Sequence, residues 1–164
     1  MPDGFSVREG SLFCEAVSAD SLAQRFATPL YVYSQTAITD AFAEWTEAFG
    51  GAEHLICFAV KANSNIAILK LLASLGSGFD IVSGGELRRV LAAGGDAGKV
   101  VFSGVGKSAA EIELALTAGI RCFNVESASE LALIERIARD LNKVAPISIR
   151  PVSYTHLTLP TKPF

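Results

Sequence analysis

The sequence predicts an α/β fold built on a parallel sheet, and three observations carry that reading. Short apolar runs alternate with polar turns and then with segments whose apolar residues recur three and four apart, the pattern of repeated βα units. Three of the turns carry a serine followed three residues later by a glutamate: Ser83 with Glu86, Ser108 with Glu111, and Ser127 with Glu130. In that helix-start device the hydroxyl accepts from the glutamate N–H while the carboxylate reaches back to the serine N–H. Finally, along residues 55–61, Leu55, Cys57, Ala59 and Lys61 share one face, and Ile56, Phe58 and Val60 share the other. Small residues on one side and bulky ones on the other favour a barrel with helices outside over an open, doubly wound sheet.

The elements follow in order. Residues 1–20 have little periodicity and leave room for one strand near 12–17. Residues 28–34, Thr-Pro-Leu-Tyr-Val-Tyr-Ser, read as a strand, because proline is tolerated at a strand start and Tyr and Val favour β structure. Residues 35–49 alternate as a helix with Ile38, Phe42 and Trp45 on one side. The unbroken apolar run 55–60 reads as a strand covered on both faces. Further strands recur at 78–82, 99–103, 121–125 and 146–150. Helical faces lie between them at Leu87, Val90 and Leu91, at Ile112, Ala115 and Leu116, and at Leu131, Ile134, Ile137, Ala138 and Leu141. Glycines at 94, 95 and 119 close the helices.

Composition narrows the function classes. A chain of 164 residues with 50% hydrophobic content belongs among globular proteins. No stretch approaches the roughly 18–20 apolar residues of a membrane span, and Met1 to Glu15 lacks the basic-then-apolar order of a secretion signal, so a cytoplasmic protein is expected. The net charge of −3 comes from 14 basic and 17 acidic residues spread without a block, which offers no footprint for nucleic acid or an anionic membrane. Cys14, Cys57 and Cys122 are odd in number and widely spaced, and read as buried reduced thiols with neither a metal site nor a disulfide framework.

Residues 151–164 break the rhythm. Three prolines and no helical period forbid the helix that should follow a strand at 146–150. The segment resembles a sequencing adapter translated in frame and is expected to be a non-native tail, so His156 carries no functional weight.

Lys61 is the leading site residue. At the end of a dry strand an amine loses solvation, and a neutral amine can attack a carbonyl to form a Schiff base. A surface lysine with a packed stem would share that position. Asp80 interrupts the apolar run 78–82, where a carboxylate is costly unless it meets a partner such as Lys61 or a cofactor; a solvated strand end is its other reading. Glu126 and Arg150 end two further strands, so that Lys61, Asp80, Glu126 and Arg150 all fall at carboxyl ends, where βα barrels place their chemistry.

One segment competes. Residues 101–108, Val-Phe-Ser-Gly-Val-Gly-Lys-Ser, follow a strand and open a helix as a phosphate-binding loop would, but Val101 stands where that loop needs its first glycine. Residues 104–109 also match a relaxed dinucleotide pattern, with Glu126 placed as a ribose-binding acid, which keeps an NAD-binding oxidoreductase domain as the reading from another class. Against it, at least two βα units precede the pattern.

Four segments together resemble the fold type III, alanine-racemase-like pyridoxal-phosphate decarboxylases: residues 28–33 (Thr-Pro-Leu-Tyr-Val-Tyr), 58–63 (Phe-Ala-Val-Lys-Ala-Asn), 78–87 (Gly-Phe-Asp-Ile-Val-Ser-Gly-Gly-Glu-Leu) and 123–127 (Phe-Asn-Val-Glu-Ser). The resemblance runs from about Thr28 to Arg150. It implies a (β/α)8 barrel of which about five of eight strands are present in 35–150, and an N-terminal segment, 1–34, whose strand joins a C-terminal β domain. It implies pyridoxal 5′-phosphate as cofactor, held covalently by Lys61, with Asp80 and Arg150 near it and Glu86 and Glu126 behind them. The implied reaction is decarboxylation of an amino acid, meso-2,6-diaminopimelate to L-lysine and CO2, with ornithine, arginine or carboxynorspermidine as alternative substrates. The implied partners are a small-molecule substrate and a second copy in a homodimer. An N-terminal fragment with no activity of its own is expected, since the ring-stacking histidine and the Gly-rich phosphate loops do not appear.

Overall fold

In the computed structural model the described residues are 4–150, so the segment read as a foreign tail, with His156, lies outside them. The described chain divides into two compact units, one running to Ile56 and the other starting at Cys57.

The first unit opens with an antiparallel meander of β1 (Phe5–Arg8), β2 (Ser11–Cys14) and β3 (Val17–Ser18). One strand was expected near 12–17; three form. The turn between β1 and β2 holds Glu9 and Gly10 at φ of 51° and 83°, the left-handed pair that a two-residue hairpin turn requires. Helix α1 (Ala19–Phe26) starts at Ser18, whose hydroxyl accepts from the Ser21 N–H at 3.2 Å. Helix α2 (Gln35–Ala48) starts at Ser34, whose hydroxyl accepts from Ala37 N–H at 3.0 Å and donates to Glu15 Oε1 at 2.9 Å.

The strand expected at 28–34 does not form. These residues join no ladder among the described residues, and Tyr31 is 86% exposed. Strand preference records how well side chains fit a pleated surface, and among the described residues no strand pairs with 28–34 to supply that surface.

The second unit is a parallel sheet of β4 (Cys57–Ala59), β5 (Gly78–Ile81), β6 (Val100–Phe102), β7 (Cys122–Val125) and β8 (Ile147–Ile149), paired in sequence order. Helices α3 (Ile66–Ser74), α4 (Gly84–Ala92), α5 (Ala109–Ala118) and α6 (Ala128–Asp140) alternate with the strands. Sequential order without a reversal is the order of a βα barrel, whereas a doubly wound sheet reverses at a switch point.

Alternation within the strands sorts the side chains. Phe79, Ile81, Val100, Phe102 and Phe123 are fully buried on one face, with Leu87, Val90, Ile112 and Ile134 from the helices among the buried core. Each such side chain contributes about 1.5–3 kcal/mol by leaving water. The Phe102 and Phe123 rings stack with centroids 6.0 Å apart. At β8 the packing thins, with Ile147 and Ile149 40% and 74% exposed. Gly95 closes the α4–β6 connection because a Cβ there would lie 2.6 Å from Val90 Cγ1 and 3.0 Å from Phe79 Cε2.

Only one of the three expected reciprocal caps is complete. Ser108 and Glu111 exchange both bonds. Glu86 and Glu130 send their carboxylates one residue further back, to Val82 N–H at 2.7 Å and Glu126 N–H at 2.8 Å. The backbone explains the difference: Ser83 and Ser127 are extended, with φ of −156° and −149°, against −79° at Ser108, which turns their own N–H groups away from the carboxylate.

Candidate active site

The carboxyl ends of the five parallel strands carry the polar residues. Lys61 follows β4 in a turn of 3₁₀ helix spanning Val60–Ala62. Val60 is fully buried and anchors that turn, while Lys61 is exposed. The desolvated strand-end lysine expected from the run 55–60 is therefore not found: the strand stops at Ala59, and the turn carries the side chain out to the rim. Asn63 Oδ1 accepts from Asn65 N–H at 3.0 Å, and Asn65 Oδ1 accepts from Ala67 N–H at 2.9 Å, so these two residues shape the loop and cap α3. Arg89 Nη1 reaches Ser64 O at 3.4 Å from α4. Among the described residues nothing pairs with the Lys61 ammonium.

Asp80 lies on β5, on the face opposite Phe79 and Ile81, in register with Ala59 of β4. It finds the partner that its partial burial requires, but the partner is Ser103: the hydroxyl donates to Asp80 Oδ1 at 2.5 Å. Asn124 Nδ2 in turn donates to Ser103 Oγ at 2.9 Å. Burial pushes the Cys57 thiol above its ordinary range, and the negative charge of Asp80 pushes it further; burial likewise raises Cys122. All three cysteines are free thiols, half-buried where full burial was expected.

Arg150 follows β8 and pairs with Glu126 at 3.3 Å; the Glu126 side chain is 7% exposed and that of Arg150 53%. Glu86 accepts the Val82 N–H, so its role in the structure is to hold the loop between β5 and α4. The five expected residues thus divide into an unpaired lysine, an aspartate held by Ser103, an ion pair of Glu126 with Arg150, and a loop-capping glutamate.

The sequence reading gives no site role to Ser103 and Asn124, and treats Glu130 only as a helix cap. Ser103 and Asn124 were legible by alternation, two residues beyond Val101 and Cys122 on the face of Asp80. The phosphate-loop reading of 101–108 makes Lys107 a phosphate-binding lysine. Its side chain is completely buried, and Nζ donates to Gly104 O at 2.6 Å, Asn124 O at 2.8 Å and Glu130 Oε1 at 2.5 Å. All three ammonium protons are spent inside the protein, so neither the phosphate loop nor the dinucleotide reading of 104–109 survives. The acid that the dinucleotide reading needs, Glu126, is committed to Arg150.

An accessible amine, an anchored carboxylate and a guanidinium on one rim suit capture of an anionic carbonyl compound. Comparison with known proteins agrees. Residues 35–157 match the pyridoxal binding domain of pyridoxal-dependent decarboxylases. The diaminopimelate decarboxylase of Neisseria meningitidis serogroup B is 61% identical over 140 residues, covering 85% of this chain and 34% of that protein. That of Pseudomonas aeruginosa is 54% identical over 148 residues, 90% of this chain and 36% of that protein. The crystal structure of a diaminopimelate decarboxylase from M. jannaschii in co-complex with L-lysine superposes with a TM-score of 0.87 at 40% identity, over 91% of this chain and 36% of that one. A lysine/ornithine decarboxylase from Vibrio vulnificus, at 21% identity and a TM-score of 0.71, shares the fold. The chain spans about a third of the length of the curated relatives it matches. On the match over 35–157, the chain belongs to the pyridoxal-dependent decarboxylases, through their pyridoxal binding domain.

Proposed function

We propose that this chain supplies the lysine-bearing part of the cofactor site in a decarboxylase that converts meso-2,6-diaminopimelate to L-lysine and CO2. The observation that carries the substrate is the gap in identity, 61% to a diaminopimelate decarboxylase against 21% to a lysine/ornithine decarboxylase. The donor set fits pyridoxal 5′-phosphate: Lys61 offers an exposed primary amine for its aldehyde, Arg150 a cation for its ring oxygen, and Asp80 a fixed negative charge on the same rim. When bound, that cofactor supplies a ring that accepts the electron pair left by departing CO2.

The work of the chain is placement. The Val60–Ala62 turn, anchored by buried Val60, carries Lys61 outward, Glu126 holds Arg150, and Glu86 fixes the loop that follows Asp80. The same reading makes the enzyme a cytoplasmic homodimer; three free thiols are in keeping with a reducing compartment.

Two chimeras test the reading. Residues 4–150 would replace the matching segment of the N. meningitidis enzyme in one and of the V. vulnificus enzyme in the other. The first should release CO2 from meso-2,6-diaminopimelate, sediment as a dimer, and carry the borohydride-fixed pyridoxyl group on Lys61; the second should be inactive. A second chimera active on ornithine beside an inert first one would transfer the assignment to the alternative substrate.

A further inference from the structure

We propose that Ser103 and Asn124 are positioning residues for the cofactor-facing carboxylate of Asp80. This rests on the reading of Lys61 and Asp80 as cofactor residues. Three neighbouring strands each contribute one polar side chain to the same face: Asp80 from β5, Ser103 just past β6 and Asn124 from β7. Backbone pairing holds them level, since Ser103 N–H donates to Ile81 O at 2.8 Å and Phe102 is in register with Phe123.

The direction of hydrogen bonding is determined by what each group can do. An ionised carboxylate only accepts, so the single proton of Ser103 must point at Asp80. Its lone pairs then face Asn124, which has to present its NH2 group. Donation therefore runs one way, from Asn124 through Ser103 to Asp80. A hydroxyl that already receives a hydrogen bond is a better donor, and an O–H to a carboxylate is among the stronger bonds a side chain makes.

The consequence is that Oδ1 of Asp80 is anchored, while Oδ2 has no partner among the described residues. The charge so fixed acts toward β4, where it already raises the Cys57 thiol, and β4 leads into the turn that carries Lys61. Ser103 is 6% exposed, so water does not compete freely for its proton. A network serving stability alone would need a donor for Asp80 but would be indifferent to which of its oxygens is left open.

The test uses the N. meningitidis chimera and reads the dissociation constant for pyridoxal phosphate, the site of borohydride labelling and the melting temperature. Ser103→Ala should weaken cofactor binding about tenfold, and Asn124→Ala less, since it acts at one remove. Ser103→Thr should restore tight binding, because it keeps the donor on a side chain suited to a strand. Wild-type affinity in Ser103→Ala beside weakened binding in Asp80→Asn would overturn the inference and leave the reading of Asp80 standing. Loss of affinity in Ser103→Ala that Ser103→Thr does not restore, or that only follows a fall in melting temperature, would also overturn it. A label that persists in Lys61→Ala would instead sink the cofactor assignment itself.

Discussion

The loops after β4 and β6 each carry a lysine, and the two ammonium groups meet opposite surroundings. Lys107, in the second loop, is sealed inside the protein with three oxygen acceptors and lies 5.6 Å from the centroid of the Phe102 ring. Lys61, in the first, is exposed and unpaired among the described residues, on a turn pinned by buried Val60. A lysine whose protons are all spent holds elements together: Lys107 ties its own loop to the end of β7 and the start of α6. A lysine kept free on a rigid turn is available to react. On the proposed reading of Lys61, the same residue type in two loops on one rim of the sheet thus serves architecture in one and chemistry in the other.

The sharpest way to break this contrast is to remove one partner of the buried pair. Lys107→Met leaves Glu130 inside without its cation, and should cost about 3–5 kcal/mol in urea unfolding of the chain, as should Glu130→Gln by stranding the ammonium. Replacing both with apolar residues of similar volume should recover much of the loss. Equal, small losses in the single variants would mean that Lys107 is no more structural than Lys61.

Lys61→Ala sharpens the other side. Its unfolding free energy should stay within about 0.5 kcal/mol of the parent, as for other exposed positions, while the fixed pyridoxyl label disappears from the chimera. A large stability loss would show that Lys61 does packing work.

The contrast also shows what could be read from sequence. The five strands and the helices α4, α5 and α6 are legible because hydrophobic period and the Ser-x-x-Glu starts repeat, and each strand falls within its expected run; α3, which starts at Asn65 without that device, is not. Chain position alone did not reveal solvation: the apolar run before Lys61 pointed to a dry amine, yet a 3₁₀ turn of three residues reversed that. Nor did it reveal pairing. Asp80 needed a partner on any reading, but choosing Ser103 over Lys61 depends on the offset between β5 and β6, which no local pattern encodes. The full meander at the N-terminus is not legible from hydrophobic period, because it depends on Glu9 taking a left-handed conformation beside Gly10, which a glutamate seldom does.

Glu111 offers a smaller test within the second unit. It completes the cap with Ser108 and also accepts the Gly84 N–H at 2.8 Å, so one carboxylate joins the starts of α4 and α5. The Gly84 N–H, then the Ser108 hydroxyl and N–H, hold its pKa below the ordinary value of 4.5. Because the folded value is the lower one, the stabilisation is complete above pH 4.5 and is lost as pH falls through the depressed value. Glu111→Ala should cost about 1 kcal/mol at neutral pH and flatten the acid limb of the stability curve.

The smallest expected effect lies in the first unit, at Glu15. Its carboxylate accepts from Thr36 N–H at 2.9 Å and from the Ser34 hydroxyl, which places a negative charge at the start of α2, where the helix presents unpaired N–H groups. The Thr36 bond, followed by that of Ser34, lowers the Glu15 pKa, so its contribution is likewise present at neutral pH and fades on acidification. Glu15 is exposed, so salt and water weaken the interaction, and Glu15→Gln should lower stability by less than Glu111→Ala. The carboxamide oxygen can still accept the Thr36 N–H, so what the substitution removes is charge. Raising the salt concentration should therefore shrink the difference between Glu15 and Glu15→Gln in urea unfolding; a difference that salt leaves unchanged would locate the contribution of Glu15 in its hydrogen bonds instead.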